Sequence, residues 1–148
     1  MRAVVQRVTN AWVDVAGVRA ARIDRGLAAL LGVEKGDTEE DAAYLAEKIV
    51  NLRIFDDGGG KMNLSLKDIK GQLLAVSQFT LLADCRRGRR PGFDAAAPPD
   101  DAKRLYEKFA AICAKAVSVQ TGRFREEMFV GLVNHGPVTI LLDSRKTF

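Results

Sequence analysis

Two stretches of this chain repeat apolar residues at helical spacing, and the longer segments around them read as strands. In the first, Ala42, Leu45, Ala46, Ile49 and Leu52 share one helical face; in the second, Leu105, Phe109, Ile112, Cys113 and Ala116 do. A helix with one apolar face must bury it on another layer, so the strand-like segments have to supply a sheet. Asp37 followed by Glu40 predicts a capping box at the start of the first helix. The second helix begins near Asp100 or Asp101.

The opening "RAVVQRVTNAWVDVAG" alternates: Val4, Gln6, Val8 and Asn10 face one way, and Val5, Arg7 and Thr9 the other. Gly17 turns the chain into "VRAARID", a weaker strand. "GLAALLGV" is a short, continuous apolar run between glycines, the pattern of a buried strand. "GQLLAVSQFTLLAD" is the longest β-like stretch, and strands return in "VQTGRFREEMFVGLVNHGPVTILLDS". "DDGGGKMN" reads as a turn or mobile loop, because no helix with a Lys-Ser/Thr pair follows to make it a phosphate cradle. Gly136-Pro137 reads as a turn before the last strand, since proline has no N–H for a ladder. The predicted order is β-β-β-α-β-α-β-β. This makes the chain α+β: one compact domain over residues 1–148, with a largely antiparallel, barrel-like sheet and two main helices.

The 148 residues are one domain's worth and can bury a core without staples. No apolar run approaches the roughly 20 residues of a membrane span, and the N-terminus has no apolar signal core, so a soluble, cytoplasmic protein is expected. The two cysteines fit that compartment as reduced thiols, with Cys113 on a helix's apolar face and Cys85 beside four arginines. Net charge is +4 and the pI about 9.3, compatible with a polyanionic partner. Arg86, Arg87, Arg89 and Arg90 fall in one run broken only by Gly88, a solvated loop or a nucleic-acid contact.

The usual catalytic sets are missing. His135 is the only histidine, which excludes a His-rich metal site within one chain, and the cysteine spacing matches no zinc motif. A Ser-His-Asp set would have to use His135, and there is no Gly-x-Ser-x-Gly elbow. Two polar patches remain. Ser77, Gln78, Phe79 and Thr80 sit between apolar runs; in a strand Ser77 and Phe79 face one way, Gln78 and Thr80 the other. The plain reading is a half-buried strand. The functional one is a strand end bent into a pocket, with backbone N–H groups able to stabilise an oxyanion. Residues 134–139 are the second patch, and composition alone makes them a turn.

"SQFTL" at 77–81 and "NHGPVT" at 134–139, in that order and spacing, resemble the two signature motifs of the D-aminoacyl-tRNA deacylase family. The flanks "RAVVQRV", "GLAALLGV", "KIVNLRIF", "RRPGF" and "VQTGRF" extend the resemblance over essentially the whole chain, with Gly92 standing where many relatives have serine. The resemblance implies hydrolysis of the ester joining a D-amino acid to the 3′ end of tRNA, and of glycine mischarged on tRNA for alanine. It implies no metal or other cofactor. It also implies a homodimer in which each subunit inserts a cis Gly-Pro pair, here Gly136-Pro137 with Val138 and Thr139, into its partner's site. The first motif assigns catalysis to Ser77, Gln78, Phe79 and Thr80. On this reading N–H groups near Gln78 and Phe79 hold the oxyanion, and water attacks with help from the ribose 2′-hydroxyl while Thr80 positions groups. Gly136-Pro137 rejects L-amino acids through backbone geometry. Arg86, Arg87, Arg89 and Arg90 meet acceptor-stem phosphates. Met128 and Phe129 are further candidates for lining the site; His135 has no catalytic duty. The alternatives are a non-catalytic RNA-binding domain, a Thr80-nucleophile hydrolase of small esters, and a metal-dependent hydrolase.

Overall fold

The computed structural model describes residues 1–147. The strands are β1 (Arg2–Val15), β2 (Val18–Ile23), β3 (Gly26–Gly32), β4 (Phe55–Asp56), β5 (Met62–Leu64), β6 (Gln72–Ser77), β7 (Ser118–Thr121) and β8 (Phe129–Asp143). The helices are α1 (Glu39–Asn51) and α2 (Pro99–Cys113), and a 3-10 turn spans Phe79–Leu82. The main sheet runs β2-β1-β3-β6-β7, with β8 on the other edge of β1. β1 is antiparallel to β2, β3 and β8. β6 and β7 join in parallel, which requires crossovers, and α1 and α2 provide them. β2 comes close to β6 and β7, so the sheet curls into a nearly closed barrel. The α+β expectation, a largely antiparallel, barrel-like sheet with two helices, describes this architecture.

The sheet serves two cores. Its outer face carries Leu27, Ala29, Leu31, Leu73 and Ala75 against the helices, where Leu45, Ile49, Leu105 and Phe109 are buried. Its inner face carries Ala28, Leu74 and Val76 into a second cluster with Ala21 and Ile23. Burial on both faces is why β3 and β6 read as continuous apolar runs. β1 feeds both cores. The predicted alternation holds as far as Val8; then the register against β8 shifts between Val8 and Asn10. That irregularity inverts the phase, so Ala11 and Val13 join Val8 in the inner core.

Three local expectations are corrected, and the turn expected at "DDGGG" gains two short flanking strands. The capping box uses Thr38 and Asp41: the Asp41 carboxylate accepts the Thr38 N–H at 2.8 Å. Asp37 is occupied elsewhere, accepting from the Glu34 N–H at 2.6 Å and pairing with the Met1 amino group at 2.8 Å. Helix α2 ends at Cys113, leaving Ala116 exposed. The "DDGGG" segment is the turn of a ribbon, β4 against β5. Asp57 closes it, accepting the N–H groups of Gly59 and Lys61 at 2.8 and 3.1 Å. Finally, Gly136-Pro137 is inside β8, not before it.

β8 tolerates that proline because the ladder is interrupted there. Gln6 pairs with Thr139 and Val8 with Asn134, so residues 135–138 bulge out opposite Arg7 alone. Arg7, 6% exposed, donates from Nε to the His135 carbonyl at 3.0 Å and from a terminal nitrogen to the Ile54 carbonyl at 2.6 Å. Asn134 spans the bulge from inside, accepting the Val138 N–H at 3.0 Å and donating to the Val138 carbonyl at 3.1 Å. The Gly136-Pro137 peptide is cis, with Gly136 at φ 135°. A Cβ on Gly136 would lie 2.7 Å from a Val138 methyl and 3.1 Å from the Arg7 guanidinium, so only glycine fits.

Arg7→Met should lower unfolding free energy by about 1.5–3 kcal/mol in urea titrations, because two carbonyls lose a charged donor; a loss under about 0.5 kcal/mol would show that Arg7 does not pin the bulge. At the end of β8, burial alone would raise the Asp143 carboxyl. Hydrogen bonds from Thr147, the Arg145 amide and Arg2 outweigh it and hold the group below its ordinary value. The associated stability is present above the unfolded value of about 3.9 and disappears as pH falls through the lower folded value. The stability gap between the wild type and Asp143→Asn should therefore narrow as pH drops below about 4. A gap that stays constant down that range contradicts the assignment.

Candidate active site

The first motif does not continue β6 as a strand. The ladder with β3 ends at Leu31 and Ser77, and the Gln78 N–H then donates to the Leu31 carbonyl at 2.6 Å. The chain turns at once into the 3-10 turn Phe79–Leu82. Gly32 makes room for it: a Cβ there would lie 2.3 Å from a Leu82 methyl. Buried Leu82 anchors the turn, and Arg2 donates to the Leu81 carbonyl at 3.4 Å. Phe79 and Thr80 carry the first amides of the turn, whose opening bond is the Leu81 N–H to the Gln78 carbonyl. In a helical turn such amides have no internal acceptor. The Gln78 N–H, one of the expected oxyanion donors, is thus committed to the Leu31 carbonyl.

Ser77 and Gln78 are half-buried, while Phe79 and Thr80 are exposed. The Gln78 side-chain amide donates to the Thr80 hydroxyl oxygen. That contact orients Thr80 but supplies no base. Ser77, Gln78 and Phe79 border a cavity of about 560 Å³; Ala97 and Pro99 close one side, and residues 124–128 with Val130 the other. Met128 lines it as expected, whereas Phe129 is not among its walls and stands 67% exposed beside it. Beneath the site, the Tyr106 hydroxyl donates to the Ala75 carbonyl at 2.8 Å. Burial pushes that phenol's pKa up to about 12. Among the described residues no group of three or more His, Cys, Asp or Glu side chains comes together as metal ligands would, and no helix is long and apolar enough to cross a membrane.

The arginines form a separate feature, outside the cavity's walls. Asp84 and Gly92 exchange both backbone hydrogen bonds, at 2.8 and 2.9 Å, closing a hairpin. Arg86 folds back on Asp84 at 2.7 Å, and this guanidinium holds the Asp84 carboxyl far below the usual range. Arg87, Arg89 and Arg90 are exposed and appear in no ion pair among the described residues. Cys85 is exposed in the same hairpin. Where the hairpin rejoins the body, Phe93 meets Phe79 edge-on, ring centroids 5.0 Å apart at 64°.

One chain does not bring the two motifs together. The strand order between them is β6-β3-β1-β8, so two strands intervene, about 14 Å along the sheet at the usual strand spacing. None of residues 134–139 borders the cavity. Gly136 and Pro137 project exposed from the bulge. The side chains that sequence reasoning passed over are Arg7, Phe93, Glu126 and Glu127. Arg7 carried a signal, a lone cation in phase with Ala3 and Val5 on the core side of a strand. Glu126 and Glu127 line the cavity, but no spacing in "FREEMF" marks them.

The sequence matches the family model described as D-Tyr-tRNA(Tyr) deacylase over residues 4–143. It is 61% identical over 149 residues to the D-aminoacyl-tRNA deacylase of Thermosipho africanus (strain TCF52B), covering 100% of both chains. Identity to the D-aminoacyl-tRNA deacylase of Natranaerobius thermophilus (strain ATCC BAA-1301 / DSM 18059 / JW/NM-WN-LF) is 58% over 150 residues, again covering 100% of both. Among solved structures, the c-Myc DNA unwinding element binding protein is similar at a TM-score of 0.92 and 39% identity, over 97% of this chain and 98% of that one. A probable eukaryotic D-amino acid tRNA deacylase shares the fold at a TM-score of 0.80 and 17% identity, over 95% and 97%. The span matched by the family model contains both motifs, their bulge and cavity, and the arginine hairpin: the chain belongs to the D-Tyr-tRNA(Tyr) deacylase family.

Proposed function

We propose that this chain hydrolyses the ester of D-aminoacyl-tRNA in the cytoplasm, as a homodimer in which Gly136-Pro137 of one protomer completes the cavity at residues 77–80 of its partner. The observation that carries the reading is the separation of two unfinished halves. A backbone bulge pinned by Arg7 and Asn134 projects from the sheet. A cavity lined by Ser77, Gln78 and Phe79 lies two strands away. A second copy of the chain supplies each with what it lacks. Among the described residues the outer edge of β8 has no strand partner, and its exposed Phe129, Val133 and Leu141 are surface that a partner would cover.

Water adds to the ester carbonyl carbon, and the developing negative charge falls on the carbonyl oxygen. The amides of Phe79 and Thr80 are the donors for that oxygen. Collapse breaks the bond to the ribose oxygen, which takes one of the water's protons and leaves as the tRNA hydroxyl, while the other proton passes to solvent and the amino acid leaves as its carboxylate. Thr80, held by Gln78, positions these groups, and the 2′-hydroxyl of the terminal ribose assists the water. No metal or cofactor is assigned a step.

Chirality is read by backbone. The carbonyls flanking Gly136-Pro137 accept the substrate's α-ammonium group, and the rigid bulge occupies the space into which an L side chain would point. A filter of this kind needs nothing from a D side chain. It therefore passes glycine, which has no side chain to reject, and glycine on tRNA for alanine becomes a substrate. Arg87, Arg89 and Arg90 meet acceptor-stem phosphates; Arg86, already paired, contributes less.

The reading is tested by turnover of D- and L-tyrosyl-tRNA, with and without chelator. Release of D-tyrosine alone, unaffected by chelator, is expected; equal rates on both enantiomers, or binding without release, would overturn it. Replacing Arg87, Arg89 and Arg90 together by alanine should weaken tRNA binding and lower the slope of log affinity against log salt by about 2 to 3. An unchanged slope would remove the hairpin from the phosphate-binding surface.

A further inference from the structure

Phe79 is the one residue of the first motif with a large apolar surface in the open: the residue is 55% exposed. It also borders the cavity. An exposed ring on a short 3-10 turn needs something to hold its orientation. Here that is Phe93, packed edge-on at 5.0 Å. Phe93 is itself half-buried and takes no part in the two sequence motifs.

The position of Phe93 in the chain matters as much as the contact. It follows directly on Gly92, where the arginine hairpin is closed by its two bonds to Asp84. Beyond it, the chain is sewn to the end of β3: Lys35 N–H donates to the Ala95 carbonyl and Ala97 N–H to the Val33 carbonyl, both at 2.9 Å. Ala96 and Ala97 of that segment are cavity wall. The second leg of the hairpin therefore runs from Arg89 and Arg90, through Phe93, into the wall of the site. Only two residues, Pro91 and Gly92, separate Arg90 from the ring that touches Phe79.

We propose that Phe93 is a positioning residue for the reaction: it is the joint through which phosphate capture by the arginine hairpin fixes the Phe79 ring, and with it the 3-10 turn that carries the oxyanion donors. The inference rests on the deacylase reading. It adds that tRNA phosphates raise kcat and do not merely tighten binding. Phosphate contacts immobilise an otherwise solvated hairpin, the hairpin's fixed base carries that order to Phe93, and the edge-to-face pair carries it to Phe79. A phosphate-free substrate leaves the hairpin loose and uses the pair less.

The test is a double-mutant cycle read in kcat, using D-tyrosyl-tRNA and the phosphate-free D-tyrosyl ester of adenosine. Phe93→Leu should lower kcat on the tRNA substrate by about 2- to 12-fold, the rate equivalent of one edge-to-face pair. KM and the salt slope should stay near wild type, the loss on the adenosine ester should be smaller, and Phe93→Tyr, which keeps the ring, should restore kcat. Alanine at Arg87, Arg89 and Arg90 should lower kcat on tRNA when Phe93 is present and leave it unchanged when Phe93 is Leu, because both changes cut the same connection. Activity on the adenosine ester reports that each variant is folded. Independent effects on kcat, equal losses on both substrates, or a loss confined to KM would each overturn the proposal. A wild-type protein that releases no D-tyrosine from either substrate would instead refute the deacylase reading itself.

Discussion

The guanidinium of Arg7 holds together what the rest of the chain has arranged. It sits on the core side of β1, almost without solvent, and reaches the His135 and Ile54 carbonyls and the Asp56 carboxylate. A buried charge is costly unless its donors are used, and here the partners come from three parts of the fold: the β8 bulge, the segment after α1, and the β4–β5 ribbon. The bulge cannot be satisfied by the ladder, because four residues stand opposite one. Arg7 from below and Asn134 from within convert that defect into a fixed projection. Without them, residues 135–138 would be a solvated loop with many shapes.

The opposite end of the sheet follows a complementary logic. Where the β8 bulge projects backbone outward, the end of β6 withdraws it. Gln78 is tied down to β3, Gly32 lets Leu82 settle, and the 3-10 turn begins at Phe79 on the border of a cavity. Its walls come from segments whose positions are set by the parallel crossovers, one on either side of α2. A chain that exposes a rigid backbone key and an open backbone socket, with two strands between them, cannot join them itself. On the proposed reading, two copies related by a two-fold axis join them, and do so twice.

Much of this was legible in the sequence. The helical faces, the doubly buried runs of β3 and β6 and the strand alternation are periodic signals, and they gave the α+β architecture. What failed did so for local reasons. Asp37 lost its capping role because it answers the Met1 amino group, a partner distant in sequence. The alternation in β1 inverted because a bulge depends on the partner strand. Gly136-Pro137 read as a turn because proline is normally excluded from ladders; the ladder broken by Arg7 made an exception. At the site, only family resemblance marks the two motifs, since neither contains a familiar catalytic set. Phe93 and the two glutamates of the cavity wall left no pattern at all, because they meet the site only through tertiary packing.

The central claim is that the two motifs act in trans, and mixing two crippled variants tests it most directly. Ser77→Phe fills the cavity and spares the bulge; Gly136→Val spoils the bulge and spares the cavity. Each folded variant alone should be inactive. Unfolded and refolded together, they should regain about a quarter of wild-type D-tyrosyl-tRNA hydrolysis, because half the dimers are mixed and each of these holds one intact composite site. If the mixture stays inactive while mixed dimers are present, both motifs serve the same chain and the account is wrong.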